Sequence, residues 1–490
     1  MPVFSIANHR PHFLLGLMVM VITAYCSVGY NHPDEHFQIL EFANYKLGNS
    51  PASDLTWEFA AQCRPALQPL IAFCISKIFI SLGCFQPFWV AFVLRLIMGI
   101  LIWRLTCQLI GLMLPKFKTD IGKNIFIGCS FFLWFVPYIG VRFSAENISA
   151  LCLFTALLII LQIGNFSGNK KTVRLMAAGL LLGFGFFMRI QICFALAGVA
   201  IWILFIKKWP WKETLTLLAF GLIAIGVCVL ADRWLYGNWV FTPFNYFKVN
   251  IIEHRAADFG VSPWWYYFTS FLQTAVPPLS LVLFCFFFVG IYKKPSHLFS
   301  ILSITFLLGH MLIGHKELRF LFPINMALIF LACYGIDSYF QRNTYKPIHR
   351  FLLRCLMTIN FALLLFRTFA PAQEAMKYYE YIYNYAQQKE VILMALERSP
   401  YNTVGAEVNF YKPKNIQVTV VQNTFTIDSI YKNNPNKALL FFSTNLTVPA
   451  EISGYKLEKL YCLLPDWVLK FNVNHWQDRS NIGVIYRLQR

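Results

Sequence analysis

Charge is scarce in this sequence. Only 13% of the 490 residues are Asp, Glu, Lys or Arg, about half of the roughly 25% that soluble domains carry. With 57% hydrophobic residues and a mean hydropathy of +0.53, a soluble globular chain is excluded. Acid is scarcer still, 23 residues against 42 basic ones. The resulting net charge of +19 does not point to nucleic acid, because Lys and Arg sit in short loops between apolar runs, which is a topology signal. The 13 Cys form no CxxC pair and no metal-ligand spacing, so neither a disulfide framework nor a metal site is expected. P-loop and dinucleotide glycine motifs are missing, which argues against direct use of a cytosolic nucleotide, and no cofactor is expected. Internal repeats and low-complexity tracts are missing too. The first apolar run has no small-residue cleavage site, so no cleavable signal peptide is expected.

What is present is length in apolar segments. Runs long enough or nearly long enough to span, at about 20 residues per crossing, occur at 13–30, 88–114, 124–141, 146–164, 173–188, 190–206, 213–231, 268–291, 297–314, 320–340 and 349–370. This pattern predicts an α-helical polytopic membrane protein with about 11 transmembrane helices. The further run 66–83 is read as interfacial. The basic stretches KFKTDIGK, GNKKTVR, KKWPWK, YKKPSH and QRNTYKPIHR then share the side of the N-terminal NHRPH, which the positive-inside rule makes cytoplasmic. Segments 173–188 and 190–206 are short, and a broken element lining a cavity is expected at Arg189. From about residue 371 the composition shifts to one helical stretch followed by short β-like runs. The expected division is a membrane domain over 1–370, with 31–87 as its first outer loop, and a small non-cytoplasmic α/β domain over 371–490.

The unusual polar residues gather in the loops of the face opposite the basic stretches. NHPDEHFQ, 31–38, sets Asp34 and Glu35 between histidines, with His32 before them and Gln38 after. Such a cluster supplies a proton acceptor and groups that orient it, which suits general-base work on a hydroxyl, although acidic residues also flank spans without function. GHKELRFLFP, 314–323, puts His315, Lys316 and Arg319 at a span boundary. Each fixed cation there would cost about 2.5–3.5 kcal/mol at the bilayer centre, and on an outer face a dense basic group is better explained by an anionic ligand such as a lipid phosphate than by snorkelling. Arg189 lies deep in apolar sequence and needs a partner. Arg142 and Glu146 in VRFSAEN stand one helical turn apart and can pair with each other. TWEFAAQCR groups Trp57, Glu58 and Arg64 as sugar sites do, and SPWWYYF, 262–268, reads as an interfacial belt or a sugar platform.

These motifs together resemble glycosyltransferase family 22, the lipid-linked mannosyltransferases of GPI-anchor and N-glycan precursor assembly. The resemblance runs from about 31 to 345 through HPDEHFQ, TWEF, VRFSAEN, RIQ and HKELRF. DRWLYGNWVFTPFNYFKVN followed by SPWWYYF is most similar to the branch that adds the third mannose of the GPI core. The resemblance implies a GT-C fold and inverting transfer of mannose from dolichyl or polyprenyl phosphate mannose to a glycolipid hydroxyl, giving an α-mannoside. On this chain it makes Asp34, or Glu35 beside it, the catalytic base. His315, Lys316 and Arg319 hold the donor phosphate, and His32, Gln38, Trp57, Arg64, Arg142 and Arg189 contact substrate. The partners implied are the lipid-linked donor, the glycolipid acceptor and the membrane, with no nucleic acid. The site faces the lumen of the endoplasmic reticulum in a eukaryote, making a GPI-type α-1,2 linkage. In a bacterium it faces the periplasm at the inner membrane and serves a cell-envelope glycan. A rival reading, a transporter or flippase of lipid-linked sugar, predicts ionisable residues through both leaflets and similar halves, whereas here they favour one face.

Overall fold

The computed structural model describes residues 10–387 continuously, then 389–396, 398–403, 405–421, 424–446, 451–452 and 454–489. Asn8 and His9 of the basic N-terminus, and Gln388, Glu397 and Gln422 of the tail segments, lie outside these ranges. The chain forms two compact units. One comprises the N-terminal residues to Ser27, Trp57–Ile71 and Phe92–Ala370; the other joins Val28–Thr56 and Ala72–Ala91 to Pro371–Arg490.

Among the described residues six helices are long and apolar enough to cross a membrane: Pro87–Lys116, Ala145–Asn165, Gly168–Met188, Trp211–Tyr236, Leu318–Phe340 and Pro347–Phe369. Shorter apolar helices occupy Arg10–Cys26, Leu67–Ser81, Ile190–Ile206, Leu279–Lys293 and Leu298–Leu312. Two expected spans are divided. The run 124–141 becomes Asp120–Phe132 and Phe135–Gly140, and Asn360 takes over the backbone groups at the break. Its amide accepts from the Trp134 N–H at 3.0 Å and donates to the Phe132 carbonyl at 2.7 Å, so a gap in the helix leaves neither group unsatisfied. The run 268–291 becomes Tyr266–Thr274 and Leu279–Lys293, because Pro277 and Pro278 supply no N–H to the ladder. Ser280 Oγ donates to the Leu272 carbonyl at 2.7 Å across that break.

Glycines set the closest helix pairs. A Cβ on Gly179 or Gly183 of Gly168–Met188 would stand 2.3 or 2.2 Å from the carbonyls of Leu217 and Gly221 on Trp211–Tyr236. Gly290 and Gly335 bring Leu279–Lys293 equally close to Leu318–Phe340, at 2.0 Å from the Leu331 carbonyl and 2.1 Å from that of Phe286. Small residues at such spacings let backbones meet where lipid gives no hydrophobic drive between helices. The break expected at Arg189 is present: its backbone is extended, φ −152° and ψ 106°, between Gly168–Met188 and the 3₁₀ turn Ile190–Ile192.

The second unit carries an α/β layer. Its strands are β1 Val391–Ala395, β2 Asn402–Thr403, β3 Ala406–Glu407, β4 Ile416–Val420, β5 Ala438–Ser443, β6 Glu451–Ile452, β7 Tyr455–Cys462 and β8 Val484–Gln489. Six of them form one sheet in the order β4-β1-β5-β8-β7-β6, with β1 parallel to β4 and β5 and the rest antiparallel. All of β1 is buried, as a central strand covered on both faces must be. Ile392, Met394 and Phe441 pack with Ile427 of helix Thr424–Asn433 on one face. On the other, Phe442 meets Tyr378 of helix Ala375–Ala386, ring centroids 5.0 Å apart.

Candidate functional site

The acidic motif lies in the second unit, and its residues divide by burial. His36 is buried: Nε2 is 2.7 Å from Glu41 Oε1, and the ring is stacked between Tyr30 and Tyr411, at 5.6 and 5.4 Å. Glu41 also accepts the Phe410 backbone N–H at 2.9 Å, so two buried groups and the 408–411 loop form one knot. Asp34 and Glu35 open the four-residue helix Asp34–Phe37 and are partly accessible. His32 Nδ1 lies 3.2 Å from Asp34 Oδ1, and Glu35 Oε2 accepts the Asn31 N–H at 3.3 Å. Gln38 is buried. The folding of NHPDEHFQ therefore turns His36 inward as an anchor and leaves the two carboxylates on the outer side of the turn.

In the first unit one carboxylate gathers two expected arginines. Glu146 follows the N-cap Ser144 at the start of Ala145–Gln162, and its Oε1 lies 3.0 Å from Arg189 and 2.9 Å from Arg319. Both guanidiniums also lie over the Phe320 ring, at 4.9 and 5.3 Å. Arg319 is held in addition by Glu317, which accepts from His315 Nε2 at 3.0 Å. His315 Nδ1 bonds the Gly260 carbonyl at 2.9 Å. The hydrogen bond to Glu317 raises the His315 pKa above its ordinary value against the opposing effect of burial. Lys316 turns away from these acids. Its ammonium donates to the carbonyls of Ser262 at 2.9 Å, of Ile313, and of Gly314 at 3.4 Å, tying the aromatic stretch 262–268 to the HKELRF turn, and burial lowers its pKa. Within that stretch Tyr267 is buried, while Trp264 and Trp265 are exposed.

Other expected residues occupy the same unit. Arg64 pairs with Glu58 at 3.5 Å and lies 5.2 Å above the Tyr246 ring. Arg64 and Arg189 line one narrow cleft with Gln191 and Tyr246. Trp57 stacks on Phe259 at 6.4 Å, and Phe259 meets His315 at 6.2 Å. Arg142 is fully buried elsewhere, donating to the Ser27 carbonyl at 2.7 Å and to its hydroxyl, 4.9 Å from the Tyr138 ring. The sequence reading paired Glu146 with Arg142 and not with Arg189 and Arg319, and it did not single out Asp232, Gln191 or Tyr246. Asp232 was open to discovery, since a carboxylate in a long apolar helix calls for a role by default. Among the described residues no three His, Cys, Asp or Glu side chains gather at metal-ligating spacing.

The chain is similar to GPI alpha-1,2-mannosyltransferase 3 of Bos taurus, 24% identical over 62% of this chain and 55% of that protein. The same-named protein of Homo sapiens is 27% identical over 60% of this chain and 51% of its own length. The chain spans about half the length of the curated relatives it matches. Its fold is shared with ArnT of Cupriavidus metallidurans, solved bound to undecaprenyl phosphate, at a TM-score of 0.54 and 11% identity over 99% of this chain and 98% of that one. That likeness gives the expected GT-C fold. The Alg9-like mannosyltransferase family matches residues 12–403, a span that takes in both the acidic motif and the HKELRF turn, and the chain belongs to that family.

Proposed function

We propose that this protein is an inverting glycosyltransferase that moves mannose from a dolichyl or polyprenyl phosphate donor to a hydroxyl of a glycolipid. The observation that carries the reading is the family match over 12–403, which includes both the acidic pair and the HKELRF cations. Asp34, or Glu35 beside it, takes the proton of the acceptor hydroxyl. The freed oxygen attacks the anomeric carbon from the face opposite the lipid phosphate, which leaves as the new α-mannosidic bond forms. The partial accessibility of both carboxylates, beside a buried His36, supports this role.

Arg319, with His315 and Lys316, stabilises the charge on the departing phosphate. Fixed cations outnumber the carboxylates around them: Arg189, Arg319 and Lys316 stand against Glu146 and Glu317. Glu317 sits where a phosphate oxygen would exchange for it on Arg319, because guanidinium presents the same fork to either anion. Relatives named GPI alpha-1,2-mannosyltransferase 3 support a GPI-type acceptor and an α-1,2 linkage, and the placement of the basic loops supports a site on the non-cytoplasmic side, the lumen of the endoplasmic reticulum in a eukaryote. His32, Gln38, Trp57, Arg64, Arg142 and Arg189 complete the substrate surroundings in this reading.

The test is transfer by the purified protein from a short-chain polyprenyl phosphate mannose to GPI-intermediate, N-glycan-precursor and bacterial glycolipid acceptors, alongside Asp34→Asn and Glu35→Gln. Mannose should reach the GPI intermediate alone, and one of the two variants should lose transfer while retaining donor binding. Full turnover in both variants would remove the acidic pair from the mechanism.

A further inference from the structure

Helix Leu298–Leu312 has the HKELRF turn beyond one end and His297 at the other. Around His297 the basic loops KFKTDIGK, KKWPWK and YKKPSH converge. His297 caps the helix, its Nδ1 accepting the Phe299 N–H at 3.2 Å. An imidazole that accepts at Nδ1 carries its proton on Nε2. That Nε2 lies 3.2 Å from the ammonium of Lys116, at the end of Pro87–Lys116. An ammonium has protons to give and no lone pair to receive, so two donors face each other. Such a pair is at rest only when an acceptor from elsewhere lies against both.

The surroundings add positive charge and no acid to offset it. His297 is stacked on Phe330 at 5.2 Å, Phe330 meets Tyr334 at 6.0 Å, and the Lys294 ammonium lies 5.2 Å over Tyr334. Trp202 Nε1 donates to the Ser296 carbonyl at 3.2 Å, and Lys207 lies 5.3 Å over the Trp202 ring. The charges of Lys207 and Lys294 reach both Lys116 and His297. Lys123 and Lys171, in basic stretches of the same face, meet Asp120 and Glu213. Among the described residues Lys116, Lys207 and Lys294 meet no carboxylate. The acid beside them is spent: Asp337, fully buried, accepts the N–H groups of Lys118 and Thr119 at 3.1 and 2.9 Å, the Thr119 hydroxyl at 2.6 Å and the Gln341 amide at 2.6 Å. The acceptor must therefore come from outside the chain. A phosphate monoester fits, since it brings a charge of about −1.5 to −2 and three oxygens to share among these donors. Exposed Phe205 and Ile206 precede Lys207, and exposed Tyr292 precedes Lys293, so apolar surface adjoins the cations as it does where a headgroup meets its chains.

We infer that Lys116, Lys207, Lys294 and the Nε2–H of His297 bind a phosphate monoester, the headgroup of an anionic lipid in the leaflet of the basic loops. The same donors would take a free phosphate, so the two are titrated separately. The measurement is isothermal titration calorimetry on the full chain in neutral detergent, with dioctanoyl phosphatidic acid and inorganic phosphate as probes and dioctanoyl phosphatidylserine, a diester, as control. Phosphatidic acid should bind wild type about tenfold tighter than either of the others. Lys116→Gln, Lys294→Gln and His297→Asn should each weaken it about tenfold, the effect of one lost charge-assisted hydrogen bond. Lys170→Gln, which removes an exposed charge from another basic stretch, should leave it unchanged. Asn serves well as an N-cap, so His297→Asn keeps the helix start and tests the site even if Lys116→Gln does not fold. No binding to wild type would mean that Lys116 gives up its proton to accept from Nε2, and would overturn the inference. An equal loss in Lys170→Gln, or equal binding of phosphatidylserine, would reduce it to diffuse attraction and overturn it as well. Inorganic phosphate binding as tightly as phosphatidic acid would overturn the lipid and leave a site for a soluble phosphate. Binding here needs neither mannose donor nor turnover, so a failed transfer assay would count against the transferase reading alone.

Discussion

Glu146 does the work of two counter-ions, because the same oxygen lies within 3.0 Å of Arg189 and Arg319. Removing one partner of a buried ion pair leaves charge without compensation, at a cost of about 3–5 kcal/mol. Glu146→Gln should therefore lower the thermal midpoint in detergent far more than Asp120→Asn, whose carboxylate meets Lys123 at an exposed position; equal effects would contradict the shared role. A second residue-scale prediction concerns pH. The pKa of His315 is raised by Glu317, so its protonated form stabilises the fold. That contribution is complete below the ordinary histidine value of about 6.5 and is lost as pH rises through the raised folded value. Glu317→Gln should flatten the decline in melting temperature above that value; parallel slopes for variant and wild type would remove His315 from the effect. The cations of this cluster were legible in the sequence because an ion in apolar surroundings announces its need for a partner. Which acid answers was not, since Glu146 and Arg319 are separated by 173 residues and local spacing offered only Arg142.

At the scale of elements, apolar length located the helices, and proline explains the break at 275–278 and, through Pro137 in the first turn of Phe135–Gly140, the one after Phe132, but nothing local shows what satisfies the backbone groups freed there. The partner that makes it tolerable is Asn360, on Pro347–Phe369, and a side chain so distant in sequence leaves no trace in hydropathy. Asn360→Leu should destabilise the protein by about 1–3 kcal/mol for each backbone group stranded, read as a lower thermal midpoint, whereas Thr358→Ala, an exposed neighbour bonded only within its own helix, should change little. The Gly168–Met188 and Trp211–Tyr236 pair allows a sharper contrast. Gly183→Ala places a methyl 2.2 Å from the Gly221 carbonyl, and Gly226→Ala on the facing helix meets nothing within 4 Å. The first should abolish monodisperse folded protein in size-exclusion chromatography, and the second should be neutral or mildly stabilising, as helix propensity dictates.

At the scale of the whole molecule, the tail is part of the environment of the acidic motif. Composition marked 371–490 as a separate α/β stretch, and its sheet follows that reading, but the knot of His36, Glu41 and Phe410 ties it to residues of the first loop. No periodicity could reveal this, because the tie is one buried carboxylate serving an imidazole and a backbone amide from remote stretches of chain. The knot predicts that the tail acts on Asp34 through the turn that begins at Pro33. Glu41→Gln keeps an acceptor for the Phe410 N–H and loses the charge facing His36; Glu41→Leu loses both. Thermal midpoints should fall in the order wild type, Gln, Leu, since burying an unsatisfied polar group costs about 1–3 kcal/mol. If the knot positions the acidic pair, kcat for mannose transfer should fall in the same order while the KM for donor stays constant, because the cations proposed to hold the donor belong to the other unit. A falling midpoint with unchanged kcat would make the knot purely structural, and the acidic pair would then owe its placement to the 31–38 turn alone.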